Sequence, residues 1–142
     1  MSNLEEFEKD FGVLVETGFV AVKQGDEDSA TKLFQAAKML KPEHSAPELG
    51  MGYISLSKLE LQNATQSFEN VVKKENENYL AKTFLGLSLM LAKTDEKRGE
   101  ELVNESLAKS DDPSVIQFAK TVLEWKVQFF EKETNTATSG KE

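Results

Sequence analysis

The sequence predicts an all-α protein, a solenoid of about three helix-turn-helix repeats closed by a C-terminal capping helix. Three observations carry this. Small and aromatic residues recur every 34 positions. Helix start signals stand at Ser2 with Glu5 and at Asp112-Pro113, where the first and last expected helices open. The composition is also that of an ordinary soluble domain, with 39% hydrophobic and 30% charged residues in a chain of 142.

The period is read by aligning residues 11–44, 45–78 and 79–112. Gly18, Gly52 and Gly86 share one place in the three windows. Ala30 and Ala64 share another, Phe34 and Phe68 a third, and Ala37 and Val71 a fourth. A unit of two antiparallel helices explains these types. The glycine and the alanine stand where the two helices cross closely, and the phenylalanine, one turn beyond the alanine, fills the gap to the next repeat. One pair cannot bury its apolar face alone, so neighbours stack.

The helices are expected at 2–24, 27–40, 45–60, 62–75, 79–93, 96–109 and 113–133. Ser2 with Glu5 forms a capping box for the first. Asp112-Pro113 supplies an N-cap and a proline at the first position of the last. That last helix shields the end of the stack, so 1–133 is expected to form a single domain. The remainder, 134–142 (TNTATSGKE), is small and polar and expected to be disordered.

The segment GFVAVKQGDEDSATKLFQAAKMLKP, Gly18–Pro42, resembles the tetratricopeptide-repeat (TPR) consensus through Gly18, the turn Gly25-Asp26, Ala30, Phe34, Ala37 and Pro42. The second repeat keeps Gly52, Ala64 and Phe68 but has Leu59 at the turn glycine and Asn76 at the proline. The third keeps Leu85-Gly86, and Arg98 stands at the alanine position. One extra residue in the turn 93–97 restores a small–large–small pattern as Gly99, Val103 and Ser106.

In TPR proteins the first helix of each pair lines the concave face, and the resemblance places ligand-facing positions at the fifth, ninth and twelfth residues of a repeat. Here these are Val15, Phe19 and Val22; Leu49, Tyr53 and Leu56; and Thr83, Leu87 and Met90. All but Thr83 are apolar or aromatic, and the three stripes are expected to make an apolar trough. The alternative is that they pack between helices or lie under the C-terminal helix. An exposed stripe of this size invites aggregation unless covered, and an amphipathic helix with anchors one turn apart would cover it. TPR modules that hold the acidic tails of heat-shock chaperones use Lys, Arg and Asn at these positions. Val15, Phe19, Leu49, Tyr53, Thr83 and Leu87 offer no such clamp.

Several other functions are excluded by what the chain carries. The net charge is −8, with 17 basic residues among 25 acidic ones, which opposes nucleic acid binding. No apolar run approaches a membrane span. The opening MSNLEEFEKDFG lacks the pattern of a secretory signal. With no cysteine there is no disulfide or thiolate site, and the chain suits a reducing cytoplasm, the expected location. His44, the one histidine, falls in a loop without catalytic or metal-binding companions. Trp125, Phe129 and Phe130 read as core or dimer contacts. No enzyme, no metal site and no cofactor is expected.

A small acidic TPR chain with an apolar trough resembles the TPR chaperones of bacterial type III secretion. Ser110–Ala119 (SDDPSVIQFA) is similar to the start of the C-terminal helix in the needle-subunit chaperones. The resemblance implies a cytoplasmic chaperone that holds an amphipathic helix of an exported subunit and blocks its premature polymerisation. It also leaves room for a small co-chaperone or a homodimer. The competing expectation is a scaffold that self-associates and holds no exported client.

Overall fold

The computed structural model describes residues 2–130, without the side chains of residues 2–4, 7 and 130. The expected tail 134–142, the end of the capping helix at 131–133 and the Ser2 side chain of the capping box lie outside the described residues. Seven α-helices are described: α1 Ser2–Lys23, α2 Glu27–Leu40, α3 Ala46–Ser57, α4 Leu61–Lys74, α5 Tyr79–Ala92, α6 Glu96–Lys109 and α7 Pro113–Trp125. A single π-helical turn, Lys126–Phe130, continues α7. The sequence places the first six helices to within three residues and the start of α7, whose α-helical part stops at Trp125 and not at 133, and no strand occurs among the described residues.

Side-chain caps account for most of the helix starts. Asp26, Asn78, Asp95 and Asp112 each accept a hydrogen bond from a backbone N–H two or three residues on, satisfying a donor that the first helical turn leaves open. Asp112 also accepts from the Ser114 hydroxyl at 2.7 Å. These bonds hold the carboxyls of Asp26 and Asp112 below their ordinary range. Between α1 and α2, Gly25 adopts a left-handed φ of 77°. The matching turn between α3 and α4 puts Leu59 there at φ 58°, and its side chain is 69% exposed. A leucine in that conformation carries backbone strain that glycine would not.

The chain divides into two compact units, Met1–Glu75 and Asn76–Glu142. In the first, α1 pairs with α2 and α3 with α4, while α2 and α1 both touch α3. Its centre is Phe34 of α2, fully buried with Ala30 and Ala37. A Cβ added to Gly18 would lie 2.6 Å from the Phe34 ring, and one added to Gly50 only 2.4 Å. The same part of the ring, Cδ1, Cε1 and Cζ, therefore abuts both a glycine of α1 and a glycine of α3. Gly18 faces the phenylalanine of its own repeat. Gly52 repeats the arrangement, with Phe68 at 2.6 Å from its virtual Cβ.

The second unit solves the same problem differently. Where Phe34 and Phe68 stand in α2 and α4, α6 carries Val103, fully buried between the buried Gly99 and Ser106. These are the three residues that the one-residue insertion brings into register. With a smaller side chain at the crossing the helices close further. A Cβ on Gly86 would meet the Gly99 carbonyl oxygen at 2.5 Å, and one on Gly99 the Gly86 carbonyl at 2.7 Å. Backbone meets backbone there, so both positions require glycine.

Helix α5 is buried on nearly every side, from Ala81 to Gly86 and from Ser88 to Met90. Its polar groups are all answered. Thr83 donates to the Tyr79 carbonyl at 2.7 Å and Ser88 to that of Phe84 at 2.9 Å, while Ser106 of α6 also donates to Tyr79 at 3.0 Å. The Lys82 ammonium, on a side chain 5% exposed, meets the Glu105 carboxylate at 2.9 Å and lies 5.5 Å from the Tyr79 ring centre. Lys82 holds the Glu105 carboxyl below its ordinary value of 4.5.

A depressed folded-state pKa adds stability that is fully present above the unfolded value and drains away as pH falls through the folded one. The Lys82–Glu105 contribution is therefore expected to fade below about pH 4.5. Glu105→Ala leaves a buried ammonium without its carboxylate and is expected to cost about 3 kcal/mol at neutral pH. The paired change of Lys82→Met with Glu105→Leu is expected to cost far less. Urea titrations of the three proteins at neutral and acidic pH measure both effects, and the gap between wild type and Glu105→Ala should narrow on acidification.

Candidate functional site

The trough expected from the sequence is built only in part. In the first unit, α1 presents Val15, Phe19 and Val22 and α3 presents Tyr53 and Leu56, all half-buried. Phe19 and Val22 rest on the cluster of Ala21, Ala30, Phe34 and Ile54. The Phe19 ring meets Phe34 edge-on at 5.1 Å and Tyr53 edge-on at 6.0 Å. Phe19 thus bridges the core and the surface: one edge rests on the Phe34 ring, and the other continues into an apolar face shared by α1 and α3. Leu49, the sixth expected residue of this unit, is 7% exposed and belongs to the core.

Two of the three expected positions on α5 are corrected outright. Thr83 is fully buried and Met90 is 1% exposed. Met90 packs with Val103 of α6 and with Ala119 and Val122 of α7, so the last helix covers it. The cause is visible in the run YLAKTFLGLSLMLA, apolar on every side, which leaves no stripe to distinguish an inner face from the core. Leu87 remains half-buried against that cluster, as do Phe118 and Leu123 of α7. Phe84 and Phe118 join the two helices edge-on at 4.8 Å.

The repeat residues fall inside as expected. Gly18, Ala30, Phe34, Ala37, Gly52, Ala64, Phe68 and Gly86 are all buried, and only Pro42, in the turn after α2, is exposed. His44 is exposed, as its loop position implied, but it has work to do. Its Nδ1 accepts the Ala46 N–H at 3.1 Å, and its ring lies 4.7 Å from that of Phe11. Sequence reasoning also missed Gly50, which has no counterpart in the 34-residue pattern. The position 34 residues later is Phe84.

Among the described residues no three His, Asp or Glu side chains group as metal ligands, and no helix is long and apolar enough to cross a membrane. The α1–α3 face has apolar area and one phenol, with no nucleophile beside a base. Such a surface can bury a side chain or a helix.

No family model matches the chain, and no curated protein matches it. Among solved structures it is similar to the N-terminal domain of stress-induced protein-1 (STI-1) from C. elegans. The TM-score is 0.56, with 17% identity over 82% of this chain and 96% of that one. At that identity the likeness is one of fold. Together with the paired helices and their glycine crossings, it shows a TPR-type helical-repeat fold.

If Val15 is a surface residue and Met90 a core one, their truncations separate cleanly. Met90→Ala is expected to cost about 3 kcal/mol, because a buried site fails to collapse around the void. Val15→Ala is expected to cost less than about 1 kcal/mol. Urea unfolding followed by circular dichroism measures both, and equal losses would place Val15 in the core.

Proposed function

We propose that the chain is a protein-binding module whose α1–α3 face takes the apolar side of a partner's amphipathic helix. The observation that carries this reading is the row Val15, Phe19, Val22, Tyr53 and Leu56, half-buried and continuous with the core through Phe19. Anchors one turn apart on a helical ligand match residues one turn apart on α1 and α3. The absence of cationic side chains from this row argues against an acidic tail as the ligand.

The finer reading is a cytoplasmic chaperone of the type III secretion kind, holding a helix of an exported subunit so that it does not polymerise early. The SDDPSVIQFA segment and the acidic composition support it. In that role residues 1–133 act as one domain, and the partner helix folds as it binds, its ordering cost offset by apolar burial. A second reading, self-association, is favoured by a cleft of about 470 Å³ between α1 and α2. Val13 and Met39, which line it, are 53% and 83% exposed.

Capture of partners from the native cell lysate, with mass spectrometry, tests the reading when run beside Val15→Glu and Leu56→Glu. A small helical protein held by the wild type and lost by both variants, with their helical circular dichroism intact, is the expected result. Equal capture by the variants would remove the α1–α3 face as the site. Sedimentation of the pure protein as a dimer that Met39→Glu dissolves would favour self-association.

A further inference from the structure

A cavity of about 360 Å³ lies on the first unit, away from the α1–α3 face, where the ends of α2 and α4 meet the start of α3. Its size falls in the range of roughly 300–1,000 Å³ typical of small-ligand sites. In a protein of net charge −8 it is lined by three lysines, Lys38 of α2 and Lys73 and Lys74 of α4. Lys74 is paired with Glu43 at 3.6 Å. The one carboxylate in the lining, Glu48, accepts from the Asn70 amide at 3.1 Å. Lys38 and Lys73 make no ion pair among the described residues, and three lysines against the single carboxylate of Glu48 leave the lining positive.

The start of α3 adds a second, independent feature. Ser45 occupies the N-cap position, yet its φ of −76° and ψ of −19° are helical, and its side chain caps nothing. The N-cap residue normally takes an extended conformation, which aims its oxygen back at the first turn. Here the His44 Nδ1 accepts the Ala46 N–H instead. Ser45 is nine-tenths buried, lines the cavity, and spends its side chain on no capping hydrogen bond. A serine of this kind keeps a donor ready for a ligand, at a helix end whose dipole favours negative charge.

We propose that this cavity binds a phosphate monoester. Three ammonium groups around one carboxylate favour an anion, and a dianionic phosphate gains more from them than a singly charged carboxylate does. Ser45 donates to one oxygen, and Lys38 and Lys73 neutralise the others. Pro47 and Val71, both almost fully buried, give the cavity a rigid apolar floor against which the organic part of the ester rests. The group arrives either as a phosphorylated side chain or as a free small molecule.

Titration of the full-length, 15N-labelled chain with O-phosphoserine, inorganic phosphate and unmodified serine, at constant ionic strength and pH, tests the proposal. The expected result is saturable shifts at residues 38, 43–48 and 70–74, with a dissociation constant near or below about 1 mM for phosphoserine and none for serine. Tighter binding of phosphoserine than of phosphate supports an ester on a partner or metabolite, and equal binding supports the free ion. Lys73→Gln and Ser45→Ala should each weaken binding about fivefold or more, while Lys32→Gln, whose ammonium pairs with Asp28 at 3.2 Å, should not. Because Ser45 is buried, the exposed Lys73→Gln decides the matter if Ser45→Ala folds poorly. Shifts that fail to saturate, or an affinity unchanged in Lys73→Gln, overturn the proposal.

Discussion

The first unit depends on one side chain, the Phe34 ring, held against two glycines on different helices. Fully burying a phenylalanine contributes about 1.5–3 kcal/mol relative to leaving it in water, but its larger effect is geometric. The ring reaches the α1 backbone at Gly18 and the α3 backbone at Gly50, so it sets the spacing of α1 to α2 and of α2 to α3 at once. A methyl group on either glycine would overlap the ring, whose nearest atom lies 2.6 Å from the Cβ position of Gly18 and 2.4 Å from that of Gly50. Phe19 leans on the same ring, so the apolar face inherits its position from this contact. The anion-binding cavity uses a different part of the same junction, the turn by which α2 passes into α3.

The second unit replaces the aromatic spacer with direct contact between glycine backbones at Gly86 and Gly99. The closer approach leaves α5 enclosed, and its hydroxyls and lone ammonium must then be satisfied within the unit, as they are at Tyr79, Phe84 and Glu105. That enclosure is why two of the α5 positions expected to face a ligand belong to the interior. The two units therefore differ in character: one offers half-covered apolar residues, the other has folded most of its own away.

Much of this was legible in the sequence. The 34-residue spacing, the Asp-Pro start of α7 and the shifted Gly99–Val103–Ser106 register mark the helices because each residue type answers a local requirement of packing or capping. Gly50 escaped because its constraint comes from a ring one repeat earlier, and no period links the two. Thr83 and Met90 escaped for the opposite reason. A helix apolar on all sides gives no periodic signal of which side is covered, and only the position of α7 decides it.

The central claim, that the two glycines and the Phe34 ring act as one device, is tested most directly by a double-mutant cycle in urea. Gly50→Ala alone is expected to destabilise the protein by about 2–3 kcal/mol through overpacking. In a Phe34→Leu background, where the shorter side chain vacates the space the methyl group needs, the same change should cost at least about 1 kcal/mol less. A coupling energy of that size would confirm that the two positions share one constraint. Strict additivity would show that the ring does not set the spacing of these helices.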